Sequence, residues 1–261
     1  GRYYSYIGTG NFNENTSKLY TDFALFTADQ DIGRDVRNVF DFLKYTYKRP
    51  NYRNLIVSPH SSRSELEYLV ETEITNAEEG FRAALMFKCN NLTDPSMISL
   101  LYKASQAGVQ IRLIVRGMCS LVPEIPGVSD NIQAISIVDR YLEHARAYVF
   151  HNKGNPSYYI GSADLMTRNI DYRVEVLCPV LDIRIQTVIQ DILDQQWHDT
   201  VKSRKLDASQ KNRKILSKSK SSSIRSQETI HRYLATGRLP RYPKSEMRSP
   251  IKRRRKKKNK Q

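Results

Sequence analysis

His144 begins a set of residues whose types and spacing could carry out chemistry at a phosphate group. Arg146 follows it by two positions, a strand-like segment then ends at Gly161 and Ser162, and Glu175 lies 31 residues after the histidine. An imidazole can attack phosphorus or protonate a leaving oxygen, while a guanidinium and backbone N–H groups neutralise phosphate oxygens. A distal carboxylate fixes the histidine tautomer. The spacing predicts one phosphoryl-transfer half-site with Glu175 behind His144.

The same layout occurs earlier in the chain. With an offset of 153, residues 6–11 (Tyr-Ile-Gly-Thr-Gly-Asn) align without a gap on residues 159–164 (Tyr-Ile-Gly-Ser-Ala-Asp). Asp22 then aligns with Glu175, and each acid lies 14 residues after the first glycine of its copy. This internal repeat predicts two half-sites related by a pseudo-twofold axis.

An α/β framework must position these residues. Apolar runs of strand length alternate with segments of helical spacing, which predicts a largely parallel sheet with helices packed on it. The predicted strands are 22–27, 54–58, 83–89, 109–116, 132–138, 147–150, 158–160 and 174–180, and the predicted helices are 31–47, 62–77, 95–107 and 183–201.

Charge is distributed unevenly along the 261 residues, which carry 42 Lys and Arg against 27 Asp and Glu. Residues 202–261 alone hold 22 basic and 3 acidic residues, so the rest of the chain is mildly acidic. A phosphate site among residues 1–201 must therefore come from the local arrangement of basic side chains and not from net charge. The basic segment is low in complexity, which predicts disorder apart from a short helix at 227–234. The functional hypothesis for this segment is that it binds polyanions, with the release of their counterions as the driving force.

Several classes of protein are disfavoured by the sequence. The three cysteines are odd in number and lie in or beside apolar runs, which indicates reduced thiols and a cytoplasmic location. No run approaches the roughly 18 apolar residues of a membrane helix, nothing near Gly1 has the basic-then-apolar layout of a signal peptide, and no P-loop motif occurs. His151, His198 and His231 lack ligand spacing, so we predict no metal site within these residues.

Seven ordered segments carry a family resemblance over residues 1 to about 201. They are Gly8-Thr9-Gly10-Asn11-Phe12-Asn13, Leu19-Tyr20-Thr21-Asp22, Val57-Ser58-Pro59-His60-Ser61-Ser62-Arg63, Ile114-Val115-Arg116-Gly117, residues 126–132, Leu142-Glu143-His144-Ala145-Arg146, and residues 159–164 through Arg173-Val174-Glu175-Val176. The half-site resembles the phospholipase D superfamily, and the set resembles the C-terminal half of polyphosphate kinases more closely.

That resemblance implies reversible transfer of the ATP γ-phosphoryl group to polyphosphate through a phosphohistidine, with Mg²⁺. It also implies that Tyr20, Arg116 and His144 contact the nucleotide or its phosphates, while Arg173 clamps phosphate oxygens. Tyr20 and Arg173 occupy equivalent places in the repeat. ATP, ADP and inorganic polyphosphate are the implied partners, and a homo-oligomer and peripheral membrane association remain open.

Asp22 and Glu175 are implied to orient the two histidines, with Glu175 serving His144. The phosphate-accepting histidine and the arginines that contact magnesium are expected upstream of Gly1, which leaves Asp22 without a partner here. We therefore interpret the chain as a C-terminal portion and predict that alone it makes no polyphosphate. Two departures are Arg146, where the superfamily has lysine, and His151, where many members have aspartate.

The resemblance also implies a mixed sheet with flanking helices, in two subdomains related by a pseudo-twofold axis, the first of them truncated at its N-terminus. The expected organisation is the remainder of a first phospholipase-D-like subdomain at 1–50, a second at 51–201 and the basic segment at 202–261. His60, Arg63 and Arg146 are further candidates for binding phosphate, the first two because a strand-to-helix turn favours anions. Two alternatives remain: a phospholipase-D-like phosphodiesterase or nuclease, and a non-catalytic polyanion-binding module. In the last case, His144→Ala would leave function intact.

Overall fold

The chain folds around one eight-stranded mixed sheet. The structure is a computed structural model that describes residues 1–217 and 223–242. In spatial order the sheet contains β12 (Ser203–Leu206), β7 (Ile132–Ile137), β6 (Gln110–Val115), β5 (Ala84–Cys89), β9 (Ala147–Phe150), β10 (Ser157–Gly161), β11 (Val176–Pro179) and β4 (Ile56–Val57). Two small pairs lie outside it: β1 (Ser5–Gly8) with β3 (Ala24–Thr27), and β2 (Tyr20–Thr21) with β8 (Leu142–Glu143).

The α/β class is confirmed, as is the mixed sheet that the family resemblance implies, whereas the largely parallel sheet expected from the alternation of strands and helices is wrong. Only β5, β6 and β7 run parallel, and every other neighbouring pair in this sheet is antiparallel. The reason is connection length. A helix joins β5 to β6, whereas only a short turn joins β9 to β10, and a short turn allows only an antiparallel neighbour.

Six α-helices accompany the sheet within the described residues. Their starts follow local signals: Asp94, for example, accepts a hydrogen bond from the backbone N–H of Met97, and Pro95 occupies the first turn of its helix. The helix predicted at 183–201 ends at Trp197. Beyond it the Asp199 side chain turns the chain by accepting hydrogen bonds from three backbone N–H groups. The helices are α1 (Glu14–Ser17), α2 (Gln30–Lys44), α3 (Ser62–Glu78), α4 (Pro95–Gln106), α5 (Ile183–Trp197) and α6 (Ser226–Thr236).

Apolar residues cover both faces of the sheet, as the continuous apolar strands predict. Leu85 and Phe87 pack on one face, and Met86 packs on the other. All three cysteines are free thiols, which confirms the prediction. Burial raises the pKa of Cys119 to about 11 and that of Cys178 to about 12, so neither is a reactive thiolate at neutral pH.

The internal repeat is present in three dimensions. Gly8 lies opposite Ala24 in the β1–β3 pair, and Gly161 lies opposite Leu177 in the β10–β11 pair, which is the same register at an offset of 153. Ser162 and Val176 exchange two hydrogen bonds, from Ser162 N–H to the Val176 carbonyl (3.0 Å) and from Val176 N–H to Ser162 Oγ (3.3 Å). The equivalent pair in the first copy makes the same two bonds.

The basic segment 202–261 differs from the prediction where it is described. Residues 203–206 form the edge strand β12, whose register places Arg204 opposite Ser136, and the predicted short helix is α6. The ordered part therefore extends beyond residue 201, because β12 completes the sheet with backbone hydrogen bonds that its charged sequence does not reveal. The predictions for 218–222 and 243–261 lie outside the described residues. No helix in the described part of the chain is long and apolar enough to span a bilayer.

Candidate functional site

His144 meets a carboxylate from the other copy of the repeat. Its Nδ1 lies 3.0 Å and 3.1 Å from the two carboxylate oxygens of Asp22. The β2–β8 pairing explains the contact: Thr21 lies opposite Glu143, so the next residue of each strand emerges beside the other. A carboxylate at Nδ1 holds the proton there and leaves Nε2 as the nitrogen that can exchange a proton with a ligand.

The prediction that Glu175 serves His144 and that Asp22 lacks a partner is therefore wrong. Glu175 Oε1 accepts a hydrogen bond from Asn169 Nδ2 (2.6 Å). Spacing along the chain places a carboxylate near each histidine, but it does not say which copy supplies it. His144 thus takes its carboxylate from the first copy, and no histidine among the described residues lies within hydrogen-bonding distance of Glu175.

Thr9 and Gly10 fix the Asp22 carboxylate. Thr9 Oγ1 donates to Asp22 Oδ1 (2.6 Å) and accepts from the backbone N–H of Phe23 (2.9 Å). A Cβ at Gly10 would lie 2.3 Å from Asp22 Oδ2, so any side chain there would displace the carboxylate. The glycine of the repeated motif is thus needed for close approach, and the hydroxyl selects one rotamer of the acid.

Arg146 lies over the imidazole of His144. Its Nη1 is 3.2 Å from Nδ1 and 3.0 Å from Nε2, and a nitrogen nearly equidistant from both ring nitrogens lies above the ring face. The same Nη1 donates to the backbone carbonyls of His144 (2.9 Å) and Thr9 (3.2 Å), and Nε donates to Asp164 (3.2 Å). Arg146 is buried and committed to protein groups, so it positions the histidine and links the two copies rather than offering a free fork to phosphate.

Tyr20 covers another side of the imidazole, with its ring centroid 4.9 Å from that of His144. Arg116 follows β6 and is tethered through Asn90, whose side chain accepts from Arg116 Nε (2.7 Å) and donates to the His144 carbonyl (3.1 Å). Arg173 is exposed, and its guanidinium has no hydrogen-bond or ion-pair partner among residues 1–217 and 223–242. Tyr20, Arg116 and His144 are thus brought together, and Arg173 remains available to an external anion.

His60 and Arg63 are used by the protein itself. Arg63 Nη2 donates to Asp94 (2.9 Å) and to Asp171 (2.6 Å), so its charge is already neutralised. The His60 ring packs edge-on against Phe42, with centroids 4.4 Å apart, and burial, then the charge of Arg49, lowers its pKa. The structure gives the predicted phosphate role of these two residues no support. A position at a strand-to-helix turn indicates that anions are favoured there. It does not show that the side chains at the turn are free to bind one.

Sequence reasoning missed a buried charge network directly beside His144. Lys88 Nζ donates to Glu143 Oε2 (2.8 Å), and both side chains are almost fully buried. Gln196 also donates to Oε2 (2.6 Å), while Gln227, from α6, donates to Oε1 (2.8 Å). The available signal was the lysine in the middle of an apolar strand, because a buried lysine needs an anionic partner.

The described residues do not offer a magnesium site. Within them no group of three or more His, Cys, Asp or Glu side chains is arranged to hold a metal ion. Asp22 is the carboxylate nearest the imidazole, and its oxygens are occupied by Thr9 and His144. We therefore assign no chemical step to a metal held by these residues.

Comparison with known proteins places this geometry in a family. The model for polyphosphate kinase C-terminal domain 2 matches residues 55–227, and that for C-terminal domain 1 matches residues 1–49. A polyphosphate kinase of Vibrio vulnificus (strain YJ016) is 51% identical over 231 residues, which is 88% of this chain and 33% of the relative. That of Escherichia coli (strain K12) is 48% identical over 237 residues, or 91% of this chain and 34% of the relative.

A solved structure agrees. The crystal structure of polyphosphate kinase from Porphyromonas gingivalis superimposes with a TM-score of 0.84 at 41% identity, covering 88% of this chain and 35% of that one. The chain thus spans about a third of the length of these relatives. Two family models in order, relatives near 50% identity and a matching fold together show that this chain belongs to the polyphosphate kinase family.

Proposed function

We propose that this chain is the C-terminal part of an ATP:polyphosphate phosphotransferase and supplies one half of its active site. The supporting observation is the His144 imidazole held between Asp22 at Nδ1 and Arg146 over its ring, with Tyr20 beside it and Arg116 tethered nearby. The family resemblance supplies the reaction. The γ-phosphoryl group of ATP passes to a histidine, ADP leaves with the bonding electron pair, and a terminal oxygen of polyphosphate then accepts the phosphoryl group.

The role of His144 in this proposal follows from its hydrogen bonds. Asp22 holds the Nδ1 proton and stabilises the imidazolium, so Nε2 can donate a proton to a phosphate oxygen and recover it in the reverse direction. Arg116 and Arg173 supply positive charge to the phosphates, and Tyr20 restricts the position of the ring. The phosphate-accepting histidine lies outside these residues, with Glu175 as the carboxylate that orients it.

The direct test compares the full-length enzyme with its His144→Gln variant. Polyphosphate formed from labelled ATP should fall by about 10²- to 10⁴-fold, the usual contribution of a general acid or base. His198→Gln is the control, because the His198 ring bonds the Asp194 carbonyl at the end of α5 and stacks on Tyr242 instead of joining the cluster around His144. Full activity in His144→Gln would refute the proposal. Release of free phosphate by the wild-type enzyme without polyphosphate would favour the hydrolytic alternative.

We further propose that the basic residues after α6 gather polyphosphate near the enzyme. An unbroken run of seven Lys and Arg at 252–258 suits counterion release from a polyanion. Because 203–206 belong to the sheet, the informative deletion is 243–261 rather than 202–261. This truncation should weaken polyphosphate binding at low salt and reduce its salt dependence; unchanged affinity would remove the idea.

A further inference from the structure

A cavity lies beside the segment of chain that precedes His144. Its volume is about 620 Å³, and it is formed by the chain leading into β8 and by α6, with Arg140, Tyr141, His231 and Arg232 among its lining residues. That volume is within the range of ligand sites, roughly 300–1,000 Å³. The cavity differs from the candidate site, because none of Tyr20, Asp22, Arg116, His144 and Arg146 lines it, although Gln227 links its wall to Glu143.

The positive charge in this cavity is largely uncompensated. Neither Arg140 nor Arg232 forms an ion pair with any residue that the structure describes, and both are exposed. Arg140 instead lies over the Tyr141 ring, 5.3 Å from its centroid. The acid in the lining, Glu228, is engaged by Arg225. Two free guanidinium groups and an exposed imidazole therefore face a cavity with no free carboxylate among its lining residues.

The cavity is directly connected to the reacting side of the protein. Successive side chains along an extended segment point to opposite sides, so Glu143 points away from the side on which His144 meets Asp22. Gln227, which lines the cavity, binds both the Tyr141 backbone and the Glu143 carboxylate. A ligand in the cavity would thus lie next to the short strand β8, which leads directly into His144.

We infer that this cavity, bounded by Arg140, Tyr141, His231 and Arg232, is a holding site for a segment of inorganic polyphosphate. The inference rests on the proposed function. The ligand chemistry is a linear chain of phosphates with no base or sugar: unpaired guanidinium groups bind such oxygens in charge-assisted hydrogen bonds. A growing chain held here remains tethered while its end reacts on the other side of β8.

The test measures binding of long-chain polyphosphate, tripolyphosphate, ATP and a single-stranded DNA oligonucleotide to the full-length enzyme. In the double variant Arg140→Ala/Arg232→Ala, affinity for long-chain polyphosphate should fall roughly tenfold, about 1.4 kcal/mol. Arg232→Lys, which keeps the charge, should retain part of that affinity. The control is the double variant Arg204→Ala/Arg238→Ala. It removes the same charge from two positions that do not line the cavity, Arg204 being half-buried and Arg238 exposed.

The polyphosphate products should also become shorter in the Arg140→Ala/Arg232→Ala variant than in the control, because a chain that is held less firmly dissociates sooner. Equal affinities in this variant and the control would overturn the inference, as would weaker binding of ATP or DNA without weaker binding of polyphosphate. Thermal unfolding of each variant excludes misfolding as the cause. A wild-type enzyme that makes no polyphosphate would instead defeat the proposed function.

Discussion

Replacing Asp22 by asparagine tests whether its carboxylate controls His144. In the structure, Thr9 Oγ1 donates to Asp22 Oδ1 (2.6 Å), and both carboxylate oxygens lie near His144 Nδ1, Oδ1 at 3.0 Å and Oδ2 at 3.1 Å. An asparagine would keep its carbonyl oxygen toward Thr9, because that hydroxyl needs an acceptor. Its NH₂ group would then occupy the place of Oδ2 and bring a donor beside Nδ1, which removes the negative charge and weakens the preference for the tautomer protonated at Nδ1.

The magnitude follows from two effects. A hydrogen bond to a charged group contributes about 1.5–3 kcal/mol, which corresponds to a loss of about 10- to 150-fold in rate when the charge is removed. Inversion of a catalytic histidine tautomer by an Asp→Asn substitution costs up to about 10⁴-fold in serine proteases. We therefore expect kcat/KM for polyphosphate synthesis by the full-length Asp22→Asn enzyme to fall by about 10²- to 10⁴-fold.

The assay is initial-rate synthesis of polyphosphate from ATP, with thermal unfolding measured on the same preparations. The control, Asp41→Asn, makes the same change of charge on α2. The Asp41 carboxylate is half exposed and its ion pair with Arg37 is long (3.8 Å) and therefore weak, so this variant should leave the rate unchanged. Wild-type activity in a folded Asp22→Asn enzyme would show that the carboxylate neither selects the tautomer nor stabilises the imidazolium. The contact between Asp22 and His144 would then have only a structural role.

Three further outcomes are expected. Gly10→Ala should reduce kcat/KM about as much as the loss of Asp22 does while changing the midpoint of thermal unfolding less, because its Cβ displaces the carboxylate; equal activity would contradict this. Lys88→Met should destabilise the fold by about 3–5 kcal/mol in urea unfolding, and adding Glu143→Gln should recover part of that loss, since a lone buried charge is the cause. Burial and a nearby guanidinium lower the pKa of His60, so stability should be complete above the unfolded-state value of about 6.5 and fall as the pH drops below it. His60→Phe should flatten that decline in unfolding titrations, and a decline as steep as in the wild type would show that His60 is not its cause.

The repeat shows what sequence could and could not supply. Because hydrogen bonds between neighbouring strands depend on local spacing, the repeat that aligns residues 6–11 on residues 159–164 gives β1–β3 and β10–β11 the same register. The partner of His144 could not be obtained in this way. It depends on the β2–β8 pairing, which joins residues more than a hundred positions apart through strands only two residues long. Such strands carry too little pattern to be recognised.

Residue types likewise identified candidates without showing which of them are free. Arg63 and Arg146 had the chemistry of phosphate ligands, yet each is held by protein carboxylates and carbonyls. Arg173, whose residue type alone does not distinguish it from them, has no partner among the described residues. Competition within the folded protein decides which cations remain for a ligand, and that competition is set by tertiary contacts.

The supply of the His144 carboxylate by the other copy of the repeat has a consequence for how the two copies can be separated. Asp22 follows β2, which pairs with β8, so a chain cut between residues 50 and 51 would leave the imidazole without its carboxylate unless the two pieces reassociated. At this position the two copies therefore act as one unit, and neither can be exchanged without the other.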